Sequence, residues 1–125
     1  MPPRRCPCGT GLLYAECCGP LHEGTTRAAT AEQLMRSRYS AFAVGDPAYL
    51  LATWHPATRP RELVLDPGIR WLGLDVLATD GGGLLAAEGT VEFRAAWAAA
   101  GQRGEQHEVS RFVREDGAWE YVDGV

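Results

Sequence analysis

The segment CPCGTGLLYAECCG, residues 6–19, contains all four cysteines of this 125-residue chain. They form two tight pairs that are separated by eight residues, Cys6 with Cys8 and Cys17 with Cys18. Four soft ligands joined by a short loop suit one tetrahedral Zn²⁺ held by thiolates. The spacing therefore predicts a zinc knuckle with these four cysteines as its metal ligands.

Two other uses of the cysteines compete with a metal site. The adjacent Cys17 and Cys18 offer a redox pair, and four cysteines in a secreted mini-domain offer two disulfides. The residues before Cys6 contain no apolar segment of the kind found in signal peptides. We therefore expect a cytoplasmic protein, and in that compartment clustered thiols favour a metal over disulfides.

A fifth candidate ligand, His22, lies four residues after Cys18. It would replace one member of the adjacent pair in a site of three cysteines and one histidine. Because four thiolates already complete a tetrahedron, we expect His22 to be a surface residue instead. A four-thiolate zinc site carries about two negative charges, and Arg4 and Arg5 offer positive charge to offset them.

The pattern Cys-x-Cys-x₈-Cys-Cys resembles the SEC-C motif, the zinc knuckle found in the C-terminal tail of the SecA translocase and in many unrelated proteins. The resemblance assigns the zinc ligands to the same four cysteines. It also implies docking to other macromolecules, as the SecA tail docks the chaperone SecB. The loop between the pairs is usually lysine-rich in that family. Here it offers an apolar surface instead, consisting of Leu12, Leu13 and Tyr14.

The amino-acid composition argues against several other classes of function. A net charge of −4 argues against a nucleic-acid-binding protein, which normally has a basic surplus. No apolar run approaches the roughly 18 residues of a membrane span, and the absence of lysine excludes Schiff-base chemistry. We expect the knuckle and a linker to occupy residues 1–24 and one α+β domain to occupy residues 25–125.

Two helices are expected after a linker of small and turn-forming residues, 19–29. Thr30 offers a capping hydroxyl with glutamine three residues later, which is a helix-start signal. Gly45 is expected to end this first helix. Asp46 followed by proline predicts the start of a second helix, which should end before Pro56.

From Ile69 onward the hydrophobic period changes to that of strands. The pattern predicts a strand over residues 69–79, a four-residue turn and a second strand over residues 84–97. This turn would set Thr79 opposite Leu84. It would also place two carboxylates, those of Asp75 and Glu88, opposite each other on the outer face.

A second hairpin is predicted over residues 105–123, because Asp116 and Gly117 form a strong two-residue turn signal. In the expected register Phe112 lies opposite Tyr121 and Ser110 lies opposite Asp123. Two helices followed by an antiparallel meander predict an α+β fold with the helices on one sheet face.

Three stretches beyond the knuckle, residues 31–42, 49–56 and 110–124, resemble the bacterial YchJ-type proteins. Together with the knuckle they cover nearly the whole chain. The resemblance implies a SEC-C knuckle before a domain like nuclear transport factor two, in which helices wrap a cone of curved antiparallel sheet. It implies no particular activity.

Cone-like folds of this kind often hold a pocket between the sheet and the helices. On the aromatic face of the last hairpin, Glu108, Ser110 and Asp123 are expected to form a polar cluster next to Tyr121. Either Tyr39 and Arg38 of the first helix or Trp54 and His55 after the second are expected to close over them. Two carboxylates in apolar surroundings suit general acid–base work. The alternative is that both carboxylates are solvated at the sheet edge.

Three functional hypotheses follow from these patterns. The favoured one is a cytoplasmic zinc-binding interaction protein, whose knuckle docks a protein partner through an exposed apolar loop. The second is a small-molecule-binding protein or acid–base enzyme that uses the pocket. The third is purely structural: zinc fastens the N-terminus onto the larger domain. We further expect the two modules to be separable, so that removing the metal leaves the larger domain folded.

Overall fold

Three helices and a four-stranded antiparallel sheet follow one another in the computed structural model, which describes residues 4–124. The strands are arranged in the order β1-β2-β3-β4, as expected for a meander. A 3₁₀ turn, Tyr14–Glu16, precedes the first helix. The elements are α1 (Cys18–Glu23), α2 (Ala31–Val44), α3 (Pro47–Ala52), β1 (Arg70–Gly81), β2 (Glu88–Ala99), β3 (Gln102–Glu115) and β4 (Ala118–Gly124). The predicted α+β fold, with a curved antiparallel sheet and few helices, is confirmed.

The start and end of α2 agree with the sequence signals. The Thr30 hydroxyl accepts a hydrogen bond from the backbone N–H of Gln33 at 3.1 Å, and Gly45 adopts the left-handed conformation that ends the helix. Asp46 caps α3 in the same way, by accepting from the backbone N–H of Tyr49. Within residues 4–124, no helix has both the length and the hydropathy that crossing a membrane requires.

The predicted linker is wrong over its first residues, because residues 18–23 form α1. Pro20 lies in the first turn of this helix, where its fixed φ angle is compatible with helical geometry. The side chain of Leu21 is buried, so α1 is anchored to the rest of the molecule. The extended connection to α2 is correspondingly shorter than the sequence suggested.

The register of the first hairpin also differs from the prediction. Thr79 pairs with Val91 and Asp75 pairs with Arg94, so no two carboxylates oppose each other here. The chain leaves the ladder after Gly81 and re-enters it at Glu88. The loop is therefore longer than the four-residue turn that the glycine run suggested.

A close backbone contact holds this loop in place. Gly82 donates its N–H to the carbonyl of Glu88 at 2.9 Å and accepts the N–H of Ala31, at the start of α2, at 3.0 Å. The backbone of Gly82 also lies against Gly89: a Cβ added to Gly89 would come within 2.5 Å of the Gly82 Cα atom. Glycine at position 89 thus permits the loop to fold back between β2 and α2.

The second hairpin follows the predicted register only near its turn. Phe112 pairs with Tyr121 as expected, and the backbone at Asp116 and Gly117 has the two positive φ angles of a type I′ turn. A bulge between Arg111 and Phe112 then shifts the pairing, so that Arg111 rather than Ser110 lies opposite Asp123. The predicted pairing of Ser110 with Asp123 is wrong, because a bulge reverses which side chains share a face.

The core lies between α2 and the concave face of the sheet. Three of the four knuckle cysteines belong to the same buried cluster as the side chains from α2 and the strands. The main contributors are Leu34, Met35, Tyr39, Leu74, Val91, Phe93, Phe112 and Trp119, together with Cys6, Cys8 and Cys18. The knuckle therefore packs directly against the larger domain.

We expect Gly89→Ala to lower the free energy of unfolding by about 1–3 kcal/mol, because the added methyl group meets rigid backbone rather than a movable side chain. Gly83→Ala, in the same loop, is the matched control: a Cβ at Gly83 meets nothing within 4 Å. Urea denaturation followed by circular dichroism measures both variants. Equal stability of the two would contradict the proposed role of the Gly82–Gly89 contact.

Candidate metal centre and pocket

The sulfur atoms of Cys6, Cys8, Cys17 and Cys18 converge within 4.8 Å of one another. The sulfur of Cys17 lies 3.6 Å from that of Cys8 and 3.9 Å from that of Cys18. A tetrahedron with metal–sulfur bonds of about 2.3 Å has sulfur–sulfur edges of about 3.8 Å. All four thiols are free, which contradicts the disulfide alternative. The donor set and its spacing fit a single tetrahedral metal ion.

A short hairpin brings the two cysteine pairs together. Arg5 and Leu13 form an antiparallel bridge, and Cys6 donates its backbone N–H to the carbonyl of Leu12 at 2.8 Å. The 3₁₀ turn then redirects the chain, so that Cys17 and Cys18 reach the cluster at the start of α1. Backbone hydrogen bonds of the segment between the two cysteine pairs thus hold the four cysteines close together.

The thiols of the cluster do not ionise alike. A hydrogen bond from Cys18 lowers the pKa of Cys8 to about 4, and the same bond raises the pKa of Cys18. Burial raises the pKa of Cys17. Negative charge on the metal-free cluster is therefore concentrated on Cys8, and an incoming cation displaces protons from the others.

Two hydroxyl groups contact the sulfurs and were not found by sequence reasoning. The Thr10 hydroxyl lies 3.2 Å from the sulfur of Cys17, and the Ser40 hydroxyl, on α2, lies 3.4 Å from that of Cys6. Donation from such groups stabilises and orients metal-bound thiolates. Ser40 lies 34 residues from Cys6 in the sequence, so no local pattern links the two.

His22 joins the knuckle to α2 and is not a member of the metal cluster. Its Nε2 lies 2.8 Å from the carbonyl of Ser37, which can only accept, so Nε2 carries the proton. In the neutral ring, Nδ1 then accepts from the hydroxyl of Tyr14 at 2.6 Å. The expectation of a surface residue is wrong, because both ring nitrogens are engaged and the side chain is half-buried.

Arginine side chains further secure the knuckle. Arg36, on α2, donates to the carbonyl of Cys8 at 2.7 Å. The guanidinium of Arg4 lies 4.5 Å from the centre of the Tyr14 ring, and Arg5 donates to the carbonyl of Gly11 at 2.8 Å. Arg4 thus packs on the ring of Tyr14, and Arg5 holds the backbone of the loop between the two cysteine pairs.

The apolar loop between the cysteine pairs is only partly exposed. Leu12 is 49% exposed, whereas Leu13 and Tyr14 are half-buried. Tyr14 packs against the core and is held by His22. The docking surface expected from three residues therefore consists chiefly of Leu12.

A cavity of about 380 Å³ lies between α2 and the sheet. It gathers four of the five residues that the sequence analysis placed in a pocket, namely Tyr39, Glu108, Ser110 and Tyr121. The remaining wall is mostly aromatic. The other lining residues are Met35, Arg38, Phe42, Trp54, Trp71, Phe93, Ala95, Gln106 and Phe112.

Asp123 does not lie in this cavity. Its two carboxylate oxygens accept from Arg111 at 2.7 and 2.8 Å, on the outer face of the sheet. The hydrogen bond from Arg111 holds the pKa of Asp123 below its usual value. The predicted pair of Glu108 and Asp123 is therefore wrong, because the bulge at Arg111 turns Asp123 outward.

Arg38 is the charged residue that the pocket buries. Its side chain is 6% exposed, and its guanidinium lies 5.0 Å from the ring centre of Trp54 and 4.6 Å from that of Tyr121. Burial lowers its pKa to about 10, so it remains charged at neutral pH. A sequence signal for this group exists: Arg38 lies on the buried face of α2, one turn after Leu34.

The end of α3 positions these aromatic neighbours. Tyr121 of β4 donates its backbone N–H to Thr53 and accepts from His55, both at 2.8 Å. Trp54 is thereby fixed beside β4, with its ring 5.1 Å from that of Tyr121. The segment that follows α3 thus forms one wall of the cavity and is held to β4 by backbone hydrogen bonds.

A second group of potential ligands consists of His55, Glu115 and Glu120. The Nδ1 of His55 accepts from the backbone N–H of Ala57 at 3.0 Å, so its Nε2 is protonated and donates to Glu115 at 3.0 Å. No lone pair of His55 is therefore directed at a metal. This group is an ordinary surface hydrogen-bond cluster.

Comparisons with known proteins agree with this architecture. The family model described as "YchJ, middle NTF2-like domain" matches residues 30–124, and the SEC-C motif matches residues 5–20. The chain belongs to the YchJ family. This membership accounts for the knuckle and the cone-like domain together, as the sequence resemblance implied.

Relatives of this YchJ-family protein occur in several bacteria. The UPF0225 protein SCO1677 of Streptomyces coelicolor is 56% identical over 124 residues, covering 99% of this chain and 97% of its own. The UPF0225 protein Cgl1438/cg1626 of Corynebacterium glutamicum is 54% identical over 121 residues, covering 97% and 96%. These names state a family and no activity.

Two solved structures share the fold over nearly the whole chain. The solution structure of RPA3114, a SEC-C motif containing protein from Rhodopseudomonas palustris, has a TM-score of 0.83 at 36% identity and covers 96% of both chains. The crystal structure of a SEC-C motif containing protein from Psychrobacter arcticus has a TM-score of 0.77 at 34% identity, covering 94% of this chain and 80% of the other. The knuckle and the domain thus recur together in this family.

We expect His22→Phe to lower the free energy of unfolding by about 1–3 kcal/mol, because it removes two hydrogen bonds and leaves the Ser37 carbonyl and Tyr14 hydroxyl without their partner. His107→Gln, at an exposed position on β3, is the control and should change stability by less than about 0.5 kcal/mol. Thermal unfolding measures both. An unchanged His22→Phe protein would show that the Tyr14–His22–Ser37 chain contributes nothing to knuckle packing.

Proposed function

We propose that this protein binds one zinc ion through Cys6, Cys8, Cys17 and Cys18, and that the ion fastens the N-terminal segment onto α2. The observation that carries the proposal is the convergence of four free thiols at tetrahedral spacing inside the core that α2 shares with the sheet. Zinc suits an all-thiolate tetrahedron because it is borderline-soft and imposes no other geometry.

The surroundings of the thiols support a closed, structural site. Three of the four cysteines are at most 5% exposed, and four thiolates leave no coordination position for a substrate. When bound, the ion supplies a cross-link between the two ends of the knuckle. Thr10 and Ser40 then donate hydroxyl hydrogen bonds to the thiolates and hold their orientation.

We place this function in the cytoplasm. A site of four reduced thiols is maintained where thiol-reducing systems operate, and it would be oxidised to disulfides in an oxidising compartment. The free state of all four cysteines supports this assignment.

Purified protein should contain one zinc ion per chain, measured by native mass spectrometry. Cys8→Ser and Cys17→Ser should lose it, because each removes a thiolate from the tetrahedron. His22→Phe is the matched control and should retain full zinc, since His22 is engaged with Tyr14 and Ser37. Zinc-free protein with four reactive thiols, or zinc loss from His22→Phe, would overturn the proposed ligand set.

Removing the ion should destabilise the larger domain as well as the knuckle. The cysteines share one buried cluster with Leu34, Met35 and Phe93, so releasing the knuckle exposes part of that core. For a chain of this size, losing a few kcal/mol corresponds to a fall in melting temperature of about 10 °C or more. This proposal replaces the expectation of two separable modules.

Thermal unfolding with and without EDTA, followed by far-ultraviolet circular dichroism, measures the effect. One cooperative transition at lower temperature is the expected result. A melt that is unchanged by chelation, while native mass spectrometry records zinc loss, would restore the separable-module hypothesis and the boundary near residue 24.

Docking of a protein partner through the knuckle is the second candidate function. The observation in its favour is the exposure of Leu12, an apolar side chain in the metal-binding hairpin. Leu12→Asp should then abolish capture of a stoichiometric partner from lysate. Leu85→Asp, at a fully exposed leucine in the β1–β2 loop, is the control and should not. If both variants captured the partner equally well, Leu12 of the knuckle would take no part in partner recognition.

A further inference from the structure

The cavity beneath α2 combines aromatic walls with a small number of polar groups. Its volume of about 380 Å³ lies within the range of about 300–1,000 Å³ that is typical of small-molecule sites. It is lined by rings from α2, by Trp54 just after α3 and by one ring from each of the four strands, and its lining residue Phe42 is 36% exposed. Besides the tyrosine hydroxyls and the indole N–H of Trp54, its polar side chains are Arg38, Gln106, Glu108 and Ser110. This pattern of apolar walls and few orienting groups is that of a ligand site.

The guanidinium of Arg38 is only partly engaged by the protein. Its Nη1 donates to the carbonyl of Leu50 at 2.7 Å and to the hydroxyl of Thr53 at 2.8 Å. Its Nε and Nη2 make no hydrogen bond within residues 4–124. Over that same range, the fully buried side-chain nitrogens and oxygens without a partner comprise only Trp54 Nε1. The remaining N–H groups of Arg38 therefore retain access to the cavity.

This buried cation also lacks a carboxylate partner in the described part of the chain. None of the ion pairs within 4.0 Å across residues 4–124 involves Arg38. Glu108 lies in the same cavity and attracts Arg38 electrostatically from beyond ion-pair distance, while its carboxylate accepts a hydrogen bond from the side-chain amide of Gln106 at 3.2 Å. Burying an unpaired charge is costly, so the arrangement favours an anion supplied from outside.

The contacts of Arg38 with the protein restrict the direction in which its free edge points. Its guanidinium lies against the rings of Trp54 and Tyr121, and Nη1 is held by Leu50 and Thr53. The unengaged Nε and Nη2 form one edge of the planar fork, which matches the two oxygens of a carboxylate. A group held this rigidly loses little further conformational entropy on binding.

Glu108 restricts the charge of the occupant. It is half-buried in the same cavity, and its negative charge opposes a second anionic group there. The rest of the wall is apolar and aromatic, which favours a flat apolar body that stacks on the rings. A dianion or a phosphate ester would bring more negative charge than the single Arg38 compensates.

We propose that this cavity binds a small monocarboxylic acid with an aromatic or similarly flat apolar body, whose carboxylate pairs with Nε and Nη2 of Arg38. Glu108 lies in the same cavity and sets the limit on further negative charge. The site is separate from the metal cluster, because none of the four cysteines lines the cavity, and it exists whether or not the knuckle docks a partner.

The test compares three probes of the same shape on the zinc-loaded full-length protein by isothermal titration calorimetry. The probes are 2-naphthoate, the neutral 2-naphthamide and the cationic 2-naphthylmethylammonium. We expect 2-naphthoate to bind at least tenfold more tightly than 2-naphthamide, and the ammonium probe to bind more weakly still. Equal binding of acid and amide, tighter binding of the ammonium, or binding of none of the three would overturn the proposal.

Nuclear magnetic resonance locates the probe. The chain has four tryptophans, of which Trp54 and Trp71 line the cavity and Trp97 and Trp119 do not. Addition of 2-naphthoate should shift the indole N–H signals of the first two and leave those of the other two in place. Shifts confined to Trp97 or Trp119 would place the probe elsewhere and contradict the assignment.

Two variants test the charges. Glu108→Gln keeps the shape of the side chain and removes the competing carboxylate, so 2-naphthoate should bind severalfold more tightly while 2-naphthamide is unaffected. Arg38→Gln should abolish the preference for the acid over the amide, with folding checked by circular dichroism. If Arg38→Gln fails to fold, the three-probe comparison and Glu108→Gln decide the question, because both use folded protein. Weaker binding of 2-naphthoate to Glu108→Gln would contradict the proposed role of Glu108.

Discussion

Helix α2 is packed on two sides, and this double burial is the constraint on which the rest of the structure depends. One side meets the cysteine knuckle through Arg36, Ser37 and Ser40, and the other meets the sheet through Met35 and Tyr39. Because the two sides share one helix, the metal cluster and the cavity are positioned by the same rigid element. A helix in this position must bury polar groups: Ser37 and Ser40 have found protein partners, whereas Arg38 is only partly engaged.

Local signals in the sequence were sufficient for the helix caps, the type I′ turn and the cysteine cluster. These features depend on residues a few positions apart. They are Thr30 with Gln33 three residues later, Asp116 with Gly117, and the two cysteine pairs. The strand registers away from the tight turn were not predictable in this way. They depend on a glycine contact across the first hairpin and on a bulge after Arg111, neither of which leaves a periodic trace.

In the candidate sites, too, local sequence signals predicted some residues, whereas others depend on contacts between distant segments. The four cysteines were found from their spacing, whereas the groups that orient them, Thr10 and Ser40, come from a loop and a distant helix. In the cavity, the bulge removed Asp123 from the predicted pair, and the charged group of interest became Arg38. A cation on the buried stripe of an amphipathic helix was visible in the sequence. Its significance emerged only when the structure provided no carboxylate for it.

The four sulfurs of the metal cluster differ in their access to solvent. Cys6, Cys8 and Cys18 are at most 5% exposed, while Cys17 is half-exposed at one corner of the tetrahedron. An ion bound by these four sulfurs would therefore be open to a competing thiol or chelator at the Cys17 corner and shielded at the other three. The uneven packing thus gives the proposed site one direction of entry and exit.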